Sequence, residues 1–296
     1  MIRNIALIVI TCVMSMTGVY AQGGLKVFIS VDMEGITGVV NSDHVSSAGQ
    51  DYGRFRKIMT EETNAAVLGA LDAGATEIVV NDSHGGMRNI LIEELHSAAD
   101  LISGSPKHLS MMEGIDDSYD AVIFIGYHAA MGTQNATLDH TMSSARLANV
   151  FINGARMNEA SLNAYLAGYY GVPVVFVAGD RNFVRQAHEL IGPELEAAAV
   201  KDAVGRQAAR NLSVERAHEL IREGVRKGIE GRAKMPVKTV TSPVKLEMEF
   251  LRSDYADQLD LVPGVTRVSG RKVVYTGNDY LEVFRLMRAL LALSGT

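Results

Sequence analysis

The sequence predicts an α/β fold, with a mostly parallel sheet and flanking helices, followed by a smaller C-terminal α+β domain. Short runs rich in β-branched residues, each bounded by Gly, Asn or Asp, are typical of buried parallel strands. Helical patterns separate these runs, as expected for β-α-β units with right-handed crossovers. Near the C-terminus apolar and charged residues alternate strictly, which predicts a sheet with one solvated face.

Four apolar runs are the predicted parallel strands, at residues 26–30, 77–80, 121–125 and 174–177. Between the first two, residues 52–73 place several apolar side chains on one helical face, and Gly74 lies where a helix C-cap belongs. A second helix precedes the fourth strand, because Leu162, Tyr165, Leu166 and Tyr169 recur at helical spacing.

The C-terminal region has a different pattern. Ser213 is a suitable N-cap for a helix that ends at Gly231. Residues 244–250 alternate between apolar and charged side chains, and a further strand is predicted at 272–275. A terminal helix over residues 279–293 completes this part.

With 296 residues, the chain is long enough for two domains. We assign residues 24–195 to an α/β metal-binding catalytic domain and residues 196–296 to a smaller α+β domain. The change of pattern falls between Ile191 and Ser213.

Residues 1–21 are predicted to be a signal peptide, with Arg3 near the start, an apolar stretch and a small residue, Ala21, at the end. A retained N-terminal anchor is the alternative. The expected location is exported, either periplasmic or secreted, with no membrane span in the mature chain. The single cysteine, Cys12, lies in this segment, so the mature chain would have neither a thiol nucleophile nor a disulfide.

The charge pattern argues against one class of partner. The formal net charge is −6, and lysines and arginines form no stripe along the sequence. We therefore expect no nucleic-acid binding.

Side chains that commonly bind metals follow three of the predicted strands: Asp32 and Glu34, then His84, then His128. The carboxyl ends of parallel strands meet at one edge of a sheet, so we expect these side chains to converge. Two carboxylates held together favour a cation, and histidine nitrogens favour zinc over magnesium or calcium. Alternatively, an Asp-x-Glu pair caps a helix or forms a turn, and His84 is an ordinary loop histidine.

Two more candidates lie beyond the third strand. His140 follows a polar loop and could act as acid, base or nucleophile, although a solvated surface histidine is the common alternative. Glu159 begins a helix, where it could complement the helix dipole or present a carboxylate ligand at the active edge.

At these positions the sequence resembles the D-aminopeptidase family of zinc metallopeptidases. The resemblance extends from about residue 26 to residue 201. It rests on SVDMEG at residues 30–35, NDSH at 81–84 and GYH at 126–128, supported by IMTEE at 58–62, DLISG at 100–104 and LNAY at 162–165.

The resemblance implies two zinc ions per subunit, with Asp32 bridging both. Glu34 and His84 would complete one ion, and His128 with Glu159 the other. His140 falls on the catalytic histidine of the family, although the loop between His128 and His140 differs in length from the family pattern.

The implied activity is hydrolysis of short peptides, with an N-terminal D-amino acid, by water that two zinc ions activate. His140 would assist proton transfer or attack the peptide itself. The resemblance also implies a homo-oligomer, with a ring-shaped decamer as the expected form. The predicted export signal departs from typical members, which begin close to the first strand.

Two other functions remain open on the sequence. One is a different metal-dependent amidase or a phosphoesterase, although no Gly-rich phosphate loop is present. The other is a non-catalytic periplasmic binding protein, in which a metal would have a closed coordination shell.

Overall fold

The structure is a computed structural model that describes residues 24–295. The predicted signal peptide, residues 1–21, lies outside the described residues. The strands are β1 (Leu25–Val31), β2 (Ala75–Asp82), β3 (Ala99–Ile102), β4 (Ala121–Tyr127), β5 (Leu147–Ile152), β6 (Ala155–Arg156), β7 (Val174–Asp180), β8 (Glu196–Gly205), β9 (Ala208–Asn211), β10 (Val244–Phe250), β11 (Thr266–Ser269) and β12 (Lys272–Gly277). The helices are α1 (Ser42–Val45), α2 (Tyr52–Asp72), α3 (Glu159–Tyr169), α4 (Arg181–Leu190), α5 (Val214–Glu230), α6 (Asp254–Asp257) and α7 (Tyr280–Leu293).

Two sheets organise the described residues. The larger sheet has the order β3-β2-β1-β4-β7-β8-β9, and only its edge strand β9 pairs antiparallel. The smaller sheet has the order β11-β12-β10-β5-β6, with antiparallel pairing throughout. The predicted fold class, a mostly parallel sheet with flanking helices and a second α+β region, is confirmed.

The sheets do not divide the chain at the predicted domain boundary. β8, β9 and α5 follow residue 195 and belong to the larger sheet and its helix layer, while β5 and β6 precede that residue and belong to the smaller sheet. The reason is topological: the chain leaves the larger sheet after β4, forms β5 and β6, and returns at β7. A division into domains at this position stays a prediction.

Local sequence accounts for the helix and strand limits. The Ser213 hydroxyl accepts a hydrogen bond from the Arg216 amide and caps α5, and the Asp279 carboxylate caps α7 in the same way. α2 is followed by Gly74 with φ 87°, a conformation that glycine adopts without strain. In β10 every second residue from Val244 to Phe250 is buried, as the alternating pattern predicts.

Buried apolar side chains cover both faces of the larger sheet. On one face, β1, β2 and β4 pack against α2 and α5 through residues such as Ile29, Met59 and Val225. On the other face, Phe28 and Phe124 belong to a core that includes α3, α7 and the smaller sheet. The sheet is therefore enclosed along its length, and the carboxyl ends of its strands remain as the edge where polar side chains gather.

Within the part of the chain that the structure describes, none of the helices combines the length and the apolar character needed to span a bilayer.

Candidate active site

The candidate ligands lie at the point where the strand order of the larger sheet reverses. From β1 the chain proceeds outward to β2 and β3, and then continues on the other side of β1 with β4. Asp32 directly follows β1, His128 directly follows β4, and His84 lies two residues beyond β2. In open α/β sheets this reversal forms a crevice in which ligands bind.

Two glycines allow the ends of β1 and β4 to approach closely. The Asp32 amide donates to Ile125 O at 2.8 Å, and the Gly35 amide donates to Gly126 O at 2.6 Å. A Cβ at Gly35 would overlap Tyr127 O, and a Cβ at Gly126, where φ is 71°, would overlap Asp32 O. Side chains larger than hydrogen would therefore separate the backbone that carries Asp32 from the backbone that carries His128.

The first group of donor atoms consists of Asp32, Glu34 and His84. His84 Nδ1 lies 2.9 Å from Glu34 Oε2 and 3.3 Å from Asp32 Oδ1. Its other nitrogen, Nε2, lies 2.8 Å from Val45 O, which can only accept. The ring therefore donates from Nε2 and directs Nδ1 at the two carboxylates, an orientation typical of a metal-binding histidine.

The second group consists of Asp32, His128 and Glu159, all of them buried. His128 Nε2 lies 3.3 Å from Asp32 Oδ2 and 3.4 Å from Glu159 Oε2. Nδ1 of the same ring lies 3.2 Å from Ala129 O, which directs Nε2 toward the carboxylates. Asp32 thus presents Oδ1 to one group and Oδ2 to the other.

The start of α3 positions Glu159. The Asn158 side chain accepts from the Ser161 amide while the Ser161 hydroxyl accepts from the Asn158 amide, so the helix begins with a capping box. Glu159 is the first residue of that helix, and its Oε1 accepts from the Met142 amide at 2.6 Å. Oε2 of Glu159 is therefore left to face His128.

His140 lies against the second group. Its ring stacks on the ring of His128, with centroids 4.1 Å apart and an angle of 15° between the planes. Nδ1 lies 2.9 Å from Leu138 O, and Nε2 lies 3.6 Å from Glu159 Oε1. Glu34, His128 and His140 form a third possible donor group, so His140 is close enough to take part in chemistry at either of the other two.

The buried charges shift one another's pKa values. Burial, and then the charge of Glu34, raise the pKa of Asp32. Burial alone would raise the pKa of Glu34 as well, but His84 overrides it and holds the pKa well below its usual range. Burial opposes the charged form of His128, yet Glu159 and Asp32 raise its pKa well above the ordinary value. A positive charge is therefore strongly favoured among these carboxylates.

The donor set fits a divalent metal. Asp32 Oδ2 and His128 Nε2 are buried and have no hydrogen-bond partner within residues 24–295. Buried polar atoms without partners are rare, and they indicate a ligand or ion that completes them. Carboxylate oxygens and imidazole nitrogens together are ligands that zinc prefers. All six residues predicted from the sequence are brought together, although which of them bind a metal stays a prediction.

A buried network of hydroxyl groups lies beneath these residues. Ser30 Oγ lies 2.7 Å from Ser83 Oγ and 2.6 Å from Tyr127 Oη, and it donates to Met111 O. Asn163 Nδ2 donates to Tyr127 Oη at 2.9 Å. The four side chains, Ser30, Ser83, Tyr127 and Asn163, each lie within a few residues of a candidate ligand, so the network joins the three strand ends to α3.

The site opens into a cavity of about 280 Å³. Five of the predicted residues line it, while His128 lies behind them with no exposed surface. The walls also include residues that the sequence did not indicate, namely Met87, Ser105, Ser110, Met111, Met142, Ser143, Ser144 and Arg288. Arg288 is the cationic member among them and comes from α7, far along the chain from the other site residues.

Comparison with known proteins identifies the family. The family described as D-aminopeptidase, peptidase M55, matches residues 25–289. The chain belongs to the D-aminopeptidase family. This membership confirms the resemblance predicted from residues 30–35, 81–84 and 126–128, and it confirms that the chain is a peptidase.

Two members of the D-aminopeptidase family can be compared directly. The D-aminopeptidase of Bacillus subtilis (strain 168) is 40% identical over 273 residues, which cover 91% of this chain and 98% of the relative. A solved structure, described as the Zn-dependent D-aminopeptidase DppA from Bacillus subtilis, a self-compartmentalizing protease, superposes with a TM-score of 0.88 at 38% identity. That match covers 92% of this chain and 98% of the other, so the whole described fold is shared.

Proposed function

We propose that the protein is a zinc-dependent aminopeptidase that hydrolyses short peptides carrying an N-terminal D-amino acid. One observation carries the proposal: Asp32 directs one carboxylate oxygen at His84 and the other at His128, each at 3.3 Å. A single carboxylate between two donor groups is suited to bridging two metal ions. Membership in the D-aminopeptidase family and the similarity to a Zn-dependent relative support this function.

Two zinc ions per subunit would share Asp32. Glu34 and His84 would complete the first site, and His128 and Glu159 the second. When bound, zinc supplies Lewis-acid polarisation of the scissile carbonyl and makes water a stronger nucleophile at neutral pH. The donor atoms are fixed in advance, because Val45 O and Ala129 O orient the two histidine rings.

His140 is proposed to carry a proton during hydrolysis. With Nδ1 donating to Leu138 O, the lone pair lies on Nε2, and that atom faces the cluster. Nε2 would accept a proton from the attacking water and deliver it to the amine that leaves when the peptide C–N bond breaks. Stacking on His128 limits rotation of the ring, so this nitrogen stays directed at the reacting groups.

A panel of dipeptides tests the substrate class. Dipeptides with D- and L-residues at the first position would be incubated with the protein in the presence of added zinc, and separately with a chelator, while free amino acid is measured. We expect release from dipeptides that begin with a D-residue, and loss of that release with the chelator. Equal release under both conditions would contradict zinc dependence, and exclusive release from L-dipeptides would contradict the D-specificity.

We also propose that the protein forms a closed homo-oligomer, with a ring-shaped decamer as the expected form. The similar structure is described as a self-compartmentalizing protease, which supports an assembly that encloses its active sites. Native mass spectrometry would give the number of subunits, and a monomer at micromolar concentration would contradict the proposal.

Export is the remaining part of the proposed function. The pattern of residues 1–21, with Arg3 ahead of an apolar stretch, supports a signal that directs the protein to the periplasm or the medium. N-terminal sequencing of protein from cell fractions would test it. A mature N-terminus after residue 21 in the exported fraction is expected, and intact protein confined to the cytoplasm would contradict it.

A further inference from the structure

Arg288 on α7 has an environment that the proposed hydrolysis does not explain. The residue lines the same cavity as Asp32, Glu34 and Glu159. Its neighbours on the helix, Met287 and Leu290, are buried in the core, which fixes the position of the helix. The cavity therefore has a positively charged side chain, Arg288, at a fixed position among several carboxylates.

One nitrogen of the Arg288 guanidinium lacks a hydrogen-bond partner. Its Nε is buried and makes no hydrogen bond within the described residues. Nearby Arg146 behaves differently, since its Nη1 donates to Leu291 O at 2.8 Å. Arg288 as a whole is half-buried, but burying even one guanidinium nitrogen is costly unless an anion or acceptor completes its hydrogen bonds. Burial also lowers the pKa of Arg288, while Glu159 opposes that shift.

Two kinds of residue line the cavity. The carboxylates and histidines are one kind, and the cationic Arg288 with the hydroxyl-bearing Ser143 and Ser144 is the other. A short peptide with free ends carries an ammonium at one end and a carboxylate at the other. The volume of about 280 Å³ is small for a ligand cavity, and it suits a peptide of a few residues rather than a long chain.

We propose that Arg288 binds the C-terminal carboxylate of the short peptide substrate and thereby restricts the enzyme to substrates with a free C-terminus close to the scissile bond. This inference rests on the proposed aminopeptidase function. A guanidinium presents parallel N–H donors that match the two oxygens of a carboxylate, so it selects this group over a neutral amide.

The first test compares two substrates of the unmodified enzyme in the presence of added zinc. D-alanyl-D-alanine has a free carboxylate, and D-alanyl-D-alaninamide has the same scissile bond with that charge removed. We expect kcat/KM to be at least about 30-fold higher for the free dipeptide than for its amide. Effects of this size are typical when one partner of a desolvated charge pair is removed. Equal values would overturn the inference, and this comparison needs no variant to fold.

The second test uses Arg288→Met, with Arg288→Lys and Arg285→Met as companions. Arg285 is an exposed arginine on the same helix and serves as the matched control. Arg288→Met should lower kcat/KM for D-alanyl-D-alanine by about 30-fold, mainly through KM, and should abolish the preference for the free dipeptide. D-alaninamide has no carboxylate, so the ratio of kcat/KM for D-alanyl-D-alanine to that for D-alaninamide should fall about 30-fold in Arg288→Met, and circular dichroism would show that the variant is folded.

The outcomes separate the two proposals. Arg288→Lys should recover part of the preference, and Arg285→Met should retain all of it. An equal loss on D-alanyl-D-alanine and D-alaninamide would show that Arg288 acts on the cluster itself, which overturns the inference while the proposed function stands. If the unmodified enzyme with zinc hydrolyses none of these compounds, the proposed function fails and the inference fails with it.

Discussion

The hydroxyl oxygens of Tyr127 and Ser30 lie 2.6 Å apart beneath the candidate metal site, and both groups are buried. Ser30 lies two residues before Asp32, and Tyr127 directly precedes His128. Burial raises the pKa of Tyr127 well above its ordinary value, so the phenol stays protonated and can donate. The hydrogen bond therefore links the end of β1 to the end of β4, just before Asp32 on one strand and His128 on the other.

Tyr127→Phe should weaken this connection. The variant leaves Ser30 and Asn163 each without one buried partner, which we expect to lower the free energy of unfolding by about 1–3 kcal/mol. Because supporting hydrogen bonds orient metal ligands, zinc affinity should fall about 10- to 100-fold. Urea unfolding and a competition titration with a zinc chelator would measure the two effects. Tyr169→Phe, at a residue that is 44% exposed, is the control for zinc affinity. Unchanged zinc affinity in Tyr127→Phe would contradict the supporting role.

Lys201 should be essential for the segment that carries Glu34. Its buried ammonium donates to Glu34 O, Ile36 O and Val39 O at 2.7, 2.9 and 2.6 Å. Lys201→Met leaves these carbonyls without that donor, and we expect a loss of about 3–5 kcal/mol in the free energy of unfolding. Hydrogen exchange should also accelerate at residues 34–39. Lys57→Met, at an exposed lysine, is the control; equal stability of the two variants would contradict this role.

Glu62 should make stability depend on pH. Burial raises its pKa from the ordinary 4.5 to about 7. Between these values the native state binds more protons than the unfolded state, so the contribution of Glu62 to stability falls as pH rises from about 4.5 to 7. The difference in pKa corresponds to about 3 kcal/mol.

Glu62→Gln removes this titration. When the pH rises from 5 to 8, the free energy of unfolding of the variant should increase by about 2.5 kcal/mol relative to that of the unmodified protein. Urea unfolding of both proteins at the two pH values would measure it. Glu61→Gln, at the adjacent and partly exposed residue, is the matched control. Parallel pH profiles for Glu62→Gln and the unmodified protein would contradict the prediction.

Zinc should stabilise the folded chain through the proposed ligands. A ligand that binds only the native state at a hundredfold excess over its Kd contributes about 2.7 kcal/mol. Added zinc should therefore raise the Tm of the unmodified protein, and should raise it less for His84→Ala. His108→Ala, at an exposed histidine, should respond like the unmodified protein. If zinc raised the Tm of His84→Ala as much as that of the control variant, His84 would not be a zinc ligand.

The sequence was most informative where chemistry is local. The apolar runs before Asp32, His84 and His128 predicted strands, and the rule that ligands gather at the carboxyl ends of parallel strands predicted their convergence. Sequence spacing alone could not decide whether Glu159 complements the helix dipole or acts as a carboxylate ligand. The capping box at Asn158 and Ser161, together with the Met142 amide, shows how that carboxylate is directed at His128.

Arg288 and Lys201 could not be found in this way. Arg288 interrupts an apolar helical pattern and resembles an ordinary solvated position, because only tertiary packing brings α7 to the cavity. Lys201 follows the apolar residues 197–200, a position where a lysine is unusual, yet its acceptors lie more than 160 residues away. The smaller sheet was missed in part for the same reason, since β5 pairs with β10 across a long separation in sequence.

The most direct test of the shared metal site is the zinc content of the purified protein, measured together with dipeptide hydrolysis in the same samples. We predict two zinc ions per subunit in the unmodified protein, one or fewer in His128→Ala, and loss of hydrolysis in that variant. Full hydrolysis by His128→Ala protein that contains no metal would contradict the central claim.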